Sequence, residues 1–166
     1  MRPLLTIPSP FLLAILSCGL ATAAEPEFSL TISVTHDSFK AGEEVKLKIL
    51  LTNLTEHQIG LESLPGVEFE YSFDVLDSQS RKAPLTRYGR ALNGTPDTGD
   101  ERHDCGDCSG FSQELEPHEK ITDEIAVSKI YDLTRAGKYT IQVSRPQGDS
   151  SHTIVKSNTI TVIISD

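Results

Sequence analysis

Tyr131-Asp132-Leu133-Thr134-Arg135-Ala136-Gly137-Lys138-Tyr139-Thr140-Ile141 is the stretch on which the fold turns. It reads as a corner followed by a strand. Arg135-Ala136-Gly137 supplies the turn. Beyond it Tyr139, Ile141 and Val143 alternate with Lys138, Thr140, Gln142 and Ser144. Successive side chains of a strand point to opposite faces, so this pattern describes one buried and one wet face. A Tyr at the start of such a strand can send its hydroxyl back to upstream backbone and pin the corner. Tyr139, Gly137 and Asp132 are the structural residues this reading singles out, against the plainer alternative of an ordinary core tyrosine.

The same period of two runs outward in both directions. Leu30, Ile32 and Val34 alternate with Ser29, Thr31, Ser33 and Thr35, and Val45, Leu47, Ile49 and Leu51 with Glu44, Lys46 and Lys48. Val67, Phe69, Tyr71, Phe73 and Val75 read as one long aromatic strand. Two more segments, around Ile121 to Val127 and from Asn158 to Ser165, complete the set, and no segment of comparable length shows an amphipathic helix. Lys40-Ala41-Gly42-Glu43, Asp77-Ser78-Gln79-Ser80, Glu116-Pro117-His118-Glu119 and Pro146-Gln147-Gly148-Asp149 punctuate the strands. Short, evenly spaced strands separated by turns predict an all-β sandwich or barrel. With the Tyr139 corner, the expectation is an immunoglobulin-like antiparallel β-sandwich of seven to eight strands. The inter-sheet Cys pair and core Trp of antibody domains are both missing.

The chain of 166 residues has 24 acidic and 15 basic side chains, a net charge of −9. That balance argues against nucleic acid, because phosphate binding needs a surplus of Lys and Arg on one face. Residues 1–24 stand outside the sandwich. Arg2, the ten apolar residues Phe11 to Leu20 and the small residues Ala21-Thr22-Ala23-Ala24 match a cleaved secretory signal. The apolar run is too short to span a bilayer, which takes about twenty residues. The domain expected is therefore 25–166, secreted or periplasmic, and loss of Arg2 carries its charge from −9 to −10. Ile15-Leu16-Ser17-Cys18 resembles a lipobox, so lipidation of Cys18 and a surface lipoprotein form the alternative.

Three stretches together, Val45 to Asn53 (VKLKILLTN), Glu116-Pro117-His118-Glu119 and YDLTRAGKYTIQV, carry a family resemblance. They resemble the secreted immunoglobulin-like module ahead of the catalytic domain in deuterolysin-type metallopeptidases, and also proteinase-inhibitor modules of the intracellular type. Those modules read L-x-P-G-E where this chain has Leu115-Glu116-Pro117-His118-Glu119, with His118 in place of Gly. The resemblance implies a fold and no activity.

Chemistry is sparse. A zinc peptidase needs H-E-x-x-H on a helix, but His118-Glu119 lies in a turn with Thr122 where the second His belongs. G-x-S-x-G, P-loop and dinucleotide fingerprints are missing from the sequence, and His36, His57, His103 and His152 are scattered. Catalysis and cofactors are not expected. The unusual feature is a long connection from about Thr86 to Ser112, and connections of that length are usually functional or mobile.

Three readings of its Cys105-Gly106-Asp107-Cys108 compete. A local disulfide between Cys105 and Cys108 is favoured for an exported chain. A metal half-site of His103, Cys105 and Cys108 falls short of four ligands. A redox dithiol is opposed by the surrounding carboxylates, which raise a thiol pKa. Asn93, Asp97, Asp100, Glu101, Asp104 and Asp107 are the candidate contact residues of this loop. The function expected is a non-catalytic binding or structural module for an unidentified protein or surface polymer. The alternatives are a peptidase inhibitor acting through residues 86–112 and a metal or redox protein. The sequons at Asn53-Leu54-Thr55 and Asn93-Gly94-Thr95 are not expected to carry glycans in a bacterial chain.

Overall fold

A computed structural model describes residues 25–63, 66–94, 111–148 and 153–166. One face of the molecule is an antiparallel sheet of β1 (Phe28–Ser33), β3 (Lys46–Asn53) and β7 (Lys120–Ala126), in the order β1-β3-β7. The other orders β2 (Ser38–Lys40), β10 (Ile160–Ser165), β8 (Gly137–Pro146) and β5 (Ser72–Asp77), with β9 (Ile154–Lys156) also on β8. Only β2 on β10 is parallel; the other ladders are antiparallel. A small third sheet pairs β4 (Ile59–Ser63) with β6 (Phe111–Leu115). The protein is an all-β sandwich.

The alternation predicted for β3 is what buries it: Leu47, Ile49 and Leu51 are fully buried while Lys46 and Lys48 face water. Register places Ile32 opposite Ile49 and Leu47 opposite Ile125, so one sheet presents a continuous apolar face. Tyr139, Ile141, Val143, Val162 and Ile164 answer from the other. Each such side chain contributes about 1.5–3 kcal/mol of transfer free energy on full burial.

The two sheets are also tied by hydrogen bonds. Chain leaving β1 crosses to the second sheet as β2. Where β1's outer edge is left, the Asn158 side chain accepts from the Ile32 N–H (2.8 Å) and donates to the Ile32 carbonyl (3.1 Å). One amide thus pairs like a strand with a backbone edge and satisfies both of its polar groups.

Four sequence expectations are corrected. Ten strands form among the described residues, rather than seven or eight, because β2, β4, β6 and β9 are short or pair away from the main ladders. Residues 67–75 are not one strand: Val67–Phe69 is a 3-10 turn and β5 begins at Ser72. The turn forms because Gly66, at φ 102°, closes a tight bend in which an added Cβ would lie 2.9 Å from the Phe69 ring. Two short helices are present, α1 (Arg87–Leu92) and α2 (Val127–Ile130). The stretch from Thr86 to Ser112 is accordingly not all loop, since it opens with α1 and its last residues belong to β6.

Candidate functional site

The corner residues sit at the start of β8. Tyr139 Oη donates to the Arg135 carbonyl four residues upstream (3.0 Å). Asp132 accepts from the Thr134 amide (3.1 Å) and hydroxyl (2.6 Å), which hold its carboxyl below the usual range. Both arrangements fix the backbone that leads Gly137 into the strand.

The Glu116–Glu119 turn explains the departure at His118. The Glu119 N–H donates to the Glu116 carbonyl (3.0 Å), and His118 has φ 60°, in the left-handed region. Pro followed by a left-handed residue is the pattern of a type II turn, where glycine is at no steric disadvantage. Here a histidine occupies that position, with Nε2 3.2 Å from Glu56 on the surface.

Thr86 and Gly89 build the platform at the head of the long connection. Thr86 caps α1, accepting from the Gly89 N–H (3.0 Å), while its own N–H donates to the Ile130 carbonyl (2.9 Å) and its hydroxyl to the Lys129 carbonyl. A Cβ on Gly89 would stand 2.0 Å from the Ile130 carbonyl oxygen, so only glycine lets α1 lie this close to α2. Beside the pair opens a groove of about 610 Å³, whose lining includes Phe69, Phe73, Lys82, Leu92, Asn93 and Tyr131. Tyr131 Oη donates to the Phe73 carbonyl at the edge of β5 (2.7 Å). Burial, and then the Asp74 carboxylate, raise the Tyr131 pKa, so it stays a neutral donor. Asn93, at the C-cap of α1, is exposed and donates to the Gly89 carbonyl (2.7 Å).

Of the candidate residues, Asn93 alone reaches this groove. Asp97, Asp100, Glu101, His103, Asp104, Cys105, Asp107 and Cys108 lie outside the described residues, as does Cys18. Among the described residues no three His, Cys, Asp or Glu side chains gather as a metal site.

Sequence reasoning missed a buried polar network that adjoins this groove, whose lining also includes Tyr71. Arg145 and Glu70 form an ion pair at 2.8 Å with both side chains 7% exposed. Ser63 Oγ donates to Glu70 (2.6 Å), and the Arg145 guanidinium reaches the Glu62 carbonyl and lies 5.3 Å from the Tyr71 ring centre. Tyr71 Oη donates to Asp123 (2.6 Å), and burial followed by that bond pushes its pKa far up. One signal was present: Arg145 falls on the inward phase of Tyr139, Ile141 and Val143. The first sequon is structural too. Asn53 is fully buried, its Nδ2 within 3.1 Å of the His57, Leu115 and Glu116 carbonyls and its Oδ1 accepting from Thr55.

No protein-family model matches the chain, and no curated protein does. Among solved structures it is similar to the CARDB domain of the PF1109 protein from Pyrococcus furiosus, determined with di-metal ions. That match has 12% identity and a TM-score of 0.40, covering 84% of this chain and 93% of that one. It is also similar to the Pseudomonas fluorescens alkylpurine DNA glycosylase AlkC bound to DNA containing an abasic site analog. There the identity is 14% and the TM-score 0.43, over 85% of this chain and 31% of that one. Both are distant, and the architecture rests on the ladders described above.

Proposed function

We propose that residues 25–166 form an exported, non-catalytic immunoglobulin-like module that binds a protein or surface polymer through the end of the sandwich carrying α1. The observation that carries this reading is the packing of Gly89 on Ile130, which fixes α1 and the adjoining groove at the root of the acidic segment. The immunoglobulin-like assignment is supported by strand order: β1-β3-β7 faces β2-β10-β8-β5, with β2 parallel to β10. It is supported also by the Tyr139 bond and by the left-handed backbone at His118, where the resembling modules have glycine. Sites of this kind sit on loops and short elements held by a rigid scaffold.

The test is comparative. The mature protein and a variant shortened across 95–107 serve as baits for the extracytoplasmic fraction of the native cell. Retention of fold with loss of the captured partner supports the reading; equal capture by both removes the segment from it. Intact mass of the exported protein decides cleavage after Ala23 or Ala24 against lipidation at Cys18. It also reports whether Cys105 and Cys108 are bridged, since a disulfide is two hydrogens lighter. Metal analysis of the same sample decides the ligand reading of His103, Cys105 and Cys108.

A further inference from the structure

Among the described residues of this strongly negative chain, positive charge gathers at a concave place. Between Asp77 and Asp97 lie 19 residues without a carboxylate, the longest such run in 25–166, and they include Arg81, Lys82, Arg87 and Arg90. A second such run, from Leu133 to Gly148, includes Arg135, Lys138 and Arg145. The fold brings the first part of one against the first part of the other. In the β5–β8 ladder Asp77 stands opposite Tyr139, so the chain leaving β5 meets the corner entering β8. Between them lies a pocket of about 290 Å³ whose lining includes Arg81, Lys82, Arg135 and Lys138.

The nearby carboxylates are already engaged. Asp77 is held by the Arg81 side chain (2.8 Å) and accepts from the Gln79 and Arg81 amides, while Asp132 is held by Thr134. Lys82, Arg135 and Lys138 have no ion-pair partner among the described residues. Asp77 also lines the pocket and is paired with Arg81, and Arg135 acts on Asp132, but four cations against these two carboxylates leave a positive surplus. A concave wall with a surplus of one sign concentrates its field. The cations come from three backbone sites: the turn after β5, the corner fixed by Tyr139, and the first residues of β8. They can therefore approach one anion from several sides. The Arg81 fork is engaged with Asp77 through Nε and Nη2, which leaves Arg135 as the arginine whose planar fork suits the paired oxygens of a phosphoryl group.

We infer that the Arg81–Lys82–Arg135–Lys138 pocket binds a phosphoryl group, either as free phosphate or carried on an anionic polymer. This site adjoins the α1 groove, sharing Lys82 and Ala83 with it, but Arg135 and Lys138 line this pocket and not the groove, and the inference does not rest on the function proposed above. Its test is an amide-resolved NMR titration of the mature protein with inorganic phosphate and with linear polyphosphate. Sodium chloride at matched ionic strength is the blank, because exposed charge pairs are screened by salt. Saturable shifts at Lys82, Ala136 and Gly137 are expected. Tighter binding of the chain assigns polymer-borne phosphate and equal binding per phosphate assigns the ion; both uphold the site.

Arg135→Ala with Lys138→Ala should weaken binding by about tenfold or more, as loss of two charge-assisted contacts requires. Lys48→Ala with Lys120→Ala, the same charge loss on the other sheet, should leave it within about twofold. If the first pair does not fold, Lys138→Ala alone should still weaken binding while preserving the amide spectrum. Shifts reproduced by chloride, or equal weakening by the control pair, overturn the site. Equal affinity for a polyglutamate of matched charge, which carries no phosphoryl group, overturns the phosphoryl assignment in favour of general polyanion attraction. The variant shortened across 95–107 should bind phosphate unchanged, so failure here and failure of the α1 surface are read apart.

Discussion

The Arg145 guanidinium and the Glu70 carboxylate meet at 2.8 Å where both side chains are almost out of water. A buried pair of this kind contributes little over an apolar replacement, but removing one partner strands a charge. Glu70→Gln or Arg145→Met should each destabilise by about 3–5 kcal/mol in urea titrations. The double replacement Glu70→Leu with Arg145→Met should recover much of that loss. Single variants within experimental error of the wild type would remove the network from the stability account.

Gly89 should tolerate no side chain. Gly89→Ala places a methyl against the Ile130 carbonyl, so α1 must move or the Thr86 bonds must open. Overpacking of this kind typically costs about 1–3 kcal/mol. Thermal unfolding measures the loss, and amide shifts confined to 85–93 and 127–131 would locate it.

At His118 the expected change has the opposite sign. A non-glycine residue in the left-handed region pays about 1–2 kcal/mol, part of which glycine returns as extra freedom in the unfolded chain. His118→Gly should therefore stabilise modestly despite losing its contact to Glu56, which is solvent-exposed and worth little. Urea midpoints of the two proteins check it, and a lower midpoint for the glycine variant would contradict the turn assignment.

Alkaline pH should unfold the protein through its phenols. Burial and then the Glu68 hydrogen bond push the Tyr88 pKa to about 12, and burial raises Tyr131 and Tyr139 as well. A folded pKa above the unfolded one favours the neutral form. The contribution is complete below the ordinary phenol value of about 10 and is lost as pH rises through the folded pKa. Unfolding free energy should fall between pH 10 and 12, and Tyr88→Phe should reduce the slope. At the acid end the Asp77 and Asp132 carboxyls are depressed, Asp77 chiefly by Arg81 and Asp132 by Thr134. Their contribution holds above the ordinary carboxyl range and fades as pH falls below it, with solvent exposure keeping it small.

The strands β1, β3, β7, β8 and β10 were legible because each turns one face to a shared core, and burial then follows the alternation of residues such as Leu47, Ile49 and Leu51. Period alone misleads at Val67, Phe69 and Tyr71. A 3-10 turn and a strand end can carry the same spacing, and the cause lies at Gly66 and in the burial of Glu70. The strands β2 and β9 are three residues each, too short to show a period. The groove was not legible, since α1 is a six-residue helix held by tertiary contacts of Thr86 and Gly89 rather than by its own pattern. Arg145 was legible in principle as a charge in the inward phase of β8, but its partner Glu70 follows no periodicity.

The contact surface proposed above lies at the α1 end of the sandwich. The direct measurement is affinity for the partner isolated with the mature protein, compared among wild type, Leu92→Asp in the groove and Thr161→Asp on the outer face of the β2-β10-β8-β5 sheet. Unfolding midpoints identify variants that remain folded. Leu92→Asp is expected to weaken binding at least about tenfold, or about 1.4 kcal/mol, with Thr161→Asp near wild type. Undiminished binding by Leu92→Asp together with loss in Thr161→Asp would place the contact surface on the open sheet face and contradict the proposed one.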